Sequence, residues 1–172
     1  VAIEKYGADA LRYFCLAKIS PFQDGDFSED KLKESYNADL ANGLGNLVAR
    51  VAKLCETNFV ITGKAAEQST TERFNDLNHF NKEVENALVD YKFNEALNFI
   101  WSQITDCDKL VNQEKPWELS GEKLNQILQD LISRIQHIAH NLKPFLPETA
   151  EKILKQFSGQ IKSTDPLFPR IS

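Results

Sequence analysis

Trp117 follows Pro116 directly, in a stretch that lies between two helical patterns. Proline fixes φ near −65°, so the backbone there is stiff and the indole need not enter a core. Such a residue can cap the end of a bundle, anchor a partner protein, or offer a platform on which an unstacked base lies, a contact worth ~1–3 kcal/mol. Asn46 and Arg50 are four apart in the sequence and stand one turn above each other on a helix. An amide can read a base edge, and a guanidinium can bind a phosphate or a base. As residue types they equally make an ordinary polar helix face. Lys53, Lys115 and Arg134 are candidate phosphate contacts near these positions.

Other chemistry is missing from the chain. It has no glycine-rich phosphate loop, no nucleophile elbow, no H-E-x-x-H helix and no E-x-x-H pair, so no catalytic residue is assigned. His137 and His140 are three apart, but no third ligand accompanies them, and they read as solvated histidines near a helix end. No metal site is expected. Cys15, Cys55 and Cys107 are odd in number and far apart, and read as reduced core thiols of a cytosolic protein.

The elements that must hold these residues are helices. Leu40, Leu44, Leu47, Val48, Val51, Leu54 and Cys55 recur at three- and four-residue spacing and leave Asn46, Arg50 and Lys53 on the other side of the cylinder. Gly43 and Gly45 each cost such a helix roughly 1 kcal/mol relative to alanine, which predicts close approach of another backbone. The pattern gives a first helix over Val1–Ala17, with Ile3 and Cys15 on its apolar side, ended by Ser20-Pro21. A second runs from the N-cap Ser28 to Thr57, bent near Tyr36-Asn37. Residues 58–69 are a loop, and a third helix covers Thr71–Val89 with Phe74, Leu77, Phe80 or its neighbour, Val84 and Leu88 inward. The fourth begins near Asn94 and ends before Pro116, with Trp101 among its inward residues. The fifth, Gly121–Leu142, has the cleanest period in the chain, and a short sixth runs from Pro147 toward Phe157. The tail, Ser158–Ser172, is extended and pinned by Leu167 and Phe168. The fold class is all-α, an antiparallel helical bundle.

The totals agree with one domain of 172 residues, 42% hydrophobic and 26% charged. No apolar run reaches the ~20 residues of a membrane span, and no signal peptide opens the chain. A net charge of −5 argues against a broadly basic nucleic-acid binder, so any such role rests on a local patch, and DNA is not an expected partner. The absence of methionine suggests a piece whose partner domains lie upstream.

Several motifs carry a resemblance. The run from Ile3 to Phe14 is similar to the segment after the signature loop of class I aminoacyl-tRNA synthetases, and is shared with the isoleucine, valine and leucine enzymes. Phe22 to Ser28, Tyr36 to Arg50, Lys115-Pro116-Trp117, Lys143 to Ala150 and Leu167 to Ile171 resemble the bacterial methionyl-tRNA synthetase family, in that family's order. The resemblance implies a stem-contact region over residues 1–35 and an α-helical anticodon-binding domain over 36–172. It implies that Asn46, Arg50, Pro116 and Trp117 recognise a CAU anticodon, with Trp117 stacked on its first base. The implied partners are the anticodon loop of methionine tRNA and a catalytic domain of the same polypeptide, in the cytoplasm. The family's H-I-G-H and K-M-S-K-S motifs are absent here, as are its nucleotide-binding sheet and zinc-binding connective region. Cofactors are therefore expected only in a whole enzyme, as ATP with Mg2+ and, where the connective region binds it, Zn2+, and this chain alone is expected to be inactive. The anticodon arm of an isoleucine, valine or leucine enzyme and a helical protein-interaction module are the alternatives.

Overall fold

The computed structural model describes residues 2–19, 27–58 and 80–171. Apart from an isolated bridge residue at Gln160, its regular elements are helices: α1 (Ala2–Tyr6), α2 (Ala8–Lys18), α3 (Glu29–Ser35), α4 (Asn46–Thr57), α5 (Lys82–Val89), α6 (Phe93–Glu114), α7 (Gly121–Leu142) and α8 (Pro147–Gln156). The expected first helix is split in two, because Gly7 takes φ 83 and a backbone in that region cannot continue a right-handed helix. Ile3 and Cys15 on it are exposed, a correction to their expected burial. Cys55 and Cys107 are core thiols, and burial pushes both up to about 12, so they stay protonated. The turn expected at 23–26 and most of the 58–69 loop lie outside the described residues, as do Ser20-Pro21 and the first part of the expected third helix with Phe74 and Leu77. What is described of that helix starts at Asn81, whose side chain accepts from Glu83 N and caps it. Phe80, expected inward, is at the surface, its ring 5.2 Å from that of His140.

The second helix is continuous from Glu29 to Thr57, but it is not α throughout. Tyr36–Gly45, between α3 and α4, is wound as a π-helix. At its end the Asn46 N–H reaches the carbonyl five residues back, at Ala41, as well as that of Gly43. Ser28 stands at the N-cap with extended backbone but makes no side-chain cap bond. Long π segments are rare, since the wider turn gives poorer packing along the axis. The two glycines of this one have close neighbours. A Cβ on Gly45 would stand 3.0 Å from the Leu40 carbonyl oxygen and 3.7 Å from the Phe168 ring, and one on Gly43 would stand 3.8 Å from the Trp101 indole nitrogen. The Leu40 carbonyl is closer than an ordinary Cβ contact and calls for glycine at position 45, while the two aromatic side chains stand at van der Waals distance. The expected approach of another element's backbone is corrected accordingly.

The aromatic partners join three parts of the chain. Phe168 in the tail packs edge-on to Tyr36 at 5.8 Å, and Tyr36 packs edge-on to Tyr6 at 5.7 Å. Trp101 of α6, half-buried, stacks on Tyr13 of α2 at 4.4 Å. Tyr13 donates to Asp39 (2.9 Å) in the π segment, and Lys18 pairs with the same carboxylate. At the other end of α2, buried Asp9 accepts from Thr149 N (2.7 Å) in the first turn of α8, and Arg12 donates to the carbonyls of Pro144 and Phe145. Helix α2 therefore clamps the α7–α8 corner to the π segment. The core between them is aliphatic, with Leu40, Leu47, Val51, Ile100, Val111, Leu128 and Leu131 fully enclosed. Gly43 lies beside Trp101, and Arg50 beside Asp108 and Asn112, so α4 and α6 run in the same direction, with α7 returning between their ends. No described helix is long and apolar enough to cross a membrane.

Candidate nucleic-acid interface

Trp117 is held on a corner that the chain builds with some strain. Lys115, the residue after α6, sits at φ 44 and ψ 65, in the left-handed region that non-glycine residues avoid. It closes α6 through Lys115 N to Val111 O (3.2 Å) and opens a single 3-10 turn over Pro116–Glu118 through Glu118 N to Lys115 O (2.8 Å). Pro116 is buried, and Trp117 is turned outward, 55% exposed, its indole N–H donating to no described residue. Substituting glycine at this corner tests the strain. Lys115→Gly is expected to raise stability by about 1 kcal/mol, measured by urea unfolding, because glycine adopts positive φ without steric cost. A loss of stability would mean that the Lys115 ammonium, 3.5 Å from Glu118, matters more than the backbone.

Arg50 faces the same end of the bundle. Its Nη1 donates to Asp108 Oδ1 (3.3 Å) and its Nη2 to Asn112 Oδ1 (3.0 Å). Both acceptors are on α6, the second one turn before Lys115. The pair is partly sheltered, with 32% of the Arg50 side chain and 27% of the Asp108 side chain exposed. Burial raises the Asp108 carboxyl, and Arg50 partly opposes that shift. Asn46 lies one turn earlier on α4, about 6 Å along the axis. It is exposed, with its amide free of any described partner. Sequence reasoning missed Asp108 and Asn112. Their signal was a polar i,i+4 pair set off from the inward stripe of α6, and only the packing of α4 against it gives the pair a meaning.

The remaining candidates fall into two groups. Lys53 is exposed and pairs with Glu56 (2.8 Å), one turn beyond Arg50. Glu56 also accepts from Ser163 of the tail (2.8 Å), and these two hydrogen bonds, Lys53's first, hold its carboxyl below the usual range. Arg134 is elsewhere. It pairs with Asp130 within α7 (2.9 Å) and lines a 290 Å³ cavity with Phe99, Ser102 and Asp106, about 150° round α6 from Asp108 and Asn112. It does not share a surface with Arg50. His137 lines that cavity too. Both histidines are half-buried, a correction to the solvated reading, and burial, helped by His140, lowers the His137 pKa. Among the described residues no three His, Cys, Asp or Glu side chains converge to hold a metal.

Trp117, Arg50 and Asn46 present one exposed ring, one tethered guanidinium and one free amide on an all-α scaffold. A family model described as tRNA synthetases class I (M) matches residues 1–52. Relatives extend the match along the chain. The methionine–tRNA ligase of Ureaplasma parvum is 34% identical over 92% of this chain, and that of Thermotoga maritima is 32% identical over 93%. Over nine-tenths of its length the chain is thus homologous to bacterial methionyl-tRNA synthetases. It spans 32% and 27% of those two proteins, about a third of their length. The fold is that of a solved Mycobacterium tuberculosis methionyl-tRNA synthetase in its free state, with a TM-score of 0.75 and 23% identity over 99% of this chain and 40% of that one.

Proposed function

We propose that this chain is the anticodon-binding part of a methionyl-tRNA synthetase and recognises the CAU anticodon of methionine tRNA. The whole protein would attach methionine to that tRNA with ATP, through an aminoacyl-adenylate. The observation that carries the reading is the outward indole of Trp117, fixed by Pro116 and a left-handed Lys115. A ring so held loses little entropy when a base stacks on it. Arg50 adds specificity in the same direction. Asp108 and Asn112 engage two of its five N–H donors, which leaves a preoriented fork for a base or the loop backbone. Asn46, with donor and acceptor both free, can read a base edge one turn away.

In this reading residues 1–35 form the stem-contact region and 36–172 the anticodon domain, and α2 transmits their relative position through its bonds to Asp39 and Thr149. ATP, Mg2+ and any Zn2+ belong to the remainder of a whole synthetase in the cytoplasm. This chain by itself is expected to form no adenylate. With a net charge of −5, it should bind RNA weakly and with strong salt dependence.

The test is the affinity of the 172-residue chain for a CAU anticodon stem-loop at low salt, against a hairpin with the first anticodon base changed. Wild type should prefer CAU. Trp117→Ala should weaken CAU binding by about 10- to 100-fold and abolish the preference, with its unfolding curve unchanged. Preference for an isoleucine, valine or leucine anticodon would move the assignment to another class I enzyme. Equal, feeble binding of every hairpin would remove the anticodon-reading proposal.

A further inference from the structure

At least half of the cations among the described residues pair with carboxylates. They include Lys5, Lys18, Arg50, Lys53, Lys92, Lys109, Lys115, Lys123 and Arg134. One cleft is different. Between the end of α8 and the tail lies a space of about 530 Å³ lined by Lys152, Lys155 and Lys162. None of the three makes an ion pair or side-chain hydrogen bond with a described residue, although the Asp165 carboxylate lines the same cleft. The negative end of α8 accounts for Lys155 in its last turn, but not for Lys162 in the tail. The cleft is also built. Gln156 Nε2 donates to the Lys162 carbonyl (3.0 Å), and Gln136 Nε2 to that of Phe157 (2.8 Å), which fix the turn carrying Lys162 over α8. Three lysines line one space, and a bound polyanion would offset their charge.

The position of the cleft identifies the polyanion. Ser163, next to Lys162, hydrogen-bonds Glu56, which pairs with Lys53, one turn past Arg50 on α4. The lysine cleft thus meets the C-terminal end of α4, which carries Arg50 less than two turns earlier and about 120° round the helix. We infer that Lys152, Lys155 and Lys162 form a second, sequence-indifferent RNA site that grips backbone phosphates of the stem while Trp117 and Arg50 hold the loop. The inference rests on the proposed function for the identity of the RNA. Gln160 and Thr164, also on the cleft wall, offer neutral partners for ribose hydroxyls, the groups that a duplex RNA presents beside its phosphates. Division of labour follows: phosphate contacts set affinity and register, and the ring and amide set sequence preference.

The experiment measures hairpin affinity from about 50 to 200 mM salt for wild type, the triple variant Lys152→Ala/Lys155→Ala/Lys162→Ala, the corresponding triple arginine variant, and Trp117→Ala. All three lysines are exposed, so the fold should tolerate their removal. The alanine triple should lower the log–log salt slope by about 1 for each lysine and weaken CAU and non-CAU hairpins equally, by roughly tenfold or more at the lowest salt. The arginine triple should keep the wild-type slope. A wild-type slope in the alanine triple would overturn the lysine site, and a CAU preference lost in Trp117→Ala would in that case leave the anticodon reading standing. A reduced slope in a protein without any CAU preference would do the reverse, supporting a phosphate site while refuting the anticodon reading.

Discussion

Replacing Phe168 by alanine should cost about 3–5 kcal/mol of folding stability, although only four residues of the sequence follow it. The ring is buried, at 8% exposure, and has two built partners: Tyr36, edge-on at 5.8 Å, and the bare backbone of Gly45. Losing it opens a cavity against the π segment, where no side chain on Gly45 can collapse to fill it. Around the ring the tail is tied by Asn37, which donates to the Ile171 carbonyl (2.9 Å) and accepts from its N–H (3.1 Å). Those bonds lose their shelter once the ring is gone. Urea unfolding followed by circular dichroism measures the cost, and Phe168→Leu should recover most of it. A loss below about 1 kcal/mol would mean that the tail is an appendage rather than a strut of the π segment.

That strut marks where the sequence could and could not be read. The helices with a strict 3.6-residue stripe were legible, and α7 spans Gly121–Leu142 as its leucines and isoleucines predict. So was the pinning role of Phe168. The π winding was not. A wheel turned at a constant 100° per residue assumes α geometry throughout, and Tyr36–Gly45 departs from it. The glycines signalled that something came close, without saying what. At the candidate face, Pro116 made a stiff backbone legible, but a Trp117 that caps the bundle end and one that turns outward both fitted it. The tether on Arg50 was illegible, since Asp108 and Asn112 acquire their role only through the parallel packing of α4 on α6. Arg134 shows the converse error: a cation chosen by charge alone faces a different flank of α6.

The tether leads to the second large effect, in which two substitutions at one ion pair move RNA binding in opposite directions. Arg50→Ala should weaken the CAU stem-loop by about 100-fold. A charged hydrogen bond to RNA is worth roughly 1.5–3 kcal/mol, and its loss also leaves Asp108 facing the phosphates without its partner. Asp108→Asn should instead tighten binding several-fold at low salt. The asparagine oxygen can still accept from Arg50 Nη1, so the fork keeps its orientation while a competing anion disappears. Stability should change little at neutral pH, and the sign of any change is fixed by the raised Asp108 carboxyl. A carboxyl raised by folding makes ionisation costly in the native state. That cost is present above the folded pKa and vanishes below the unfolded one, so wild type gains stability as pH falls through this range, whereas Asp108→Asn should lack that gain. The double variant separates tether from competitor: Arg50→Ala/Asp108→Asn should bind RNA better than Arg50→Ala alone. Were Asp108→Asn to weaken binding as much as Arg50→Ala does, the charge of Asp108 would be needed to hold the guanidinium in place, and the pair would be a positioning device rather than a brake on RNA binding.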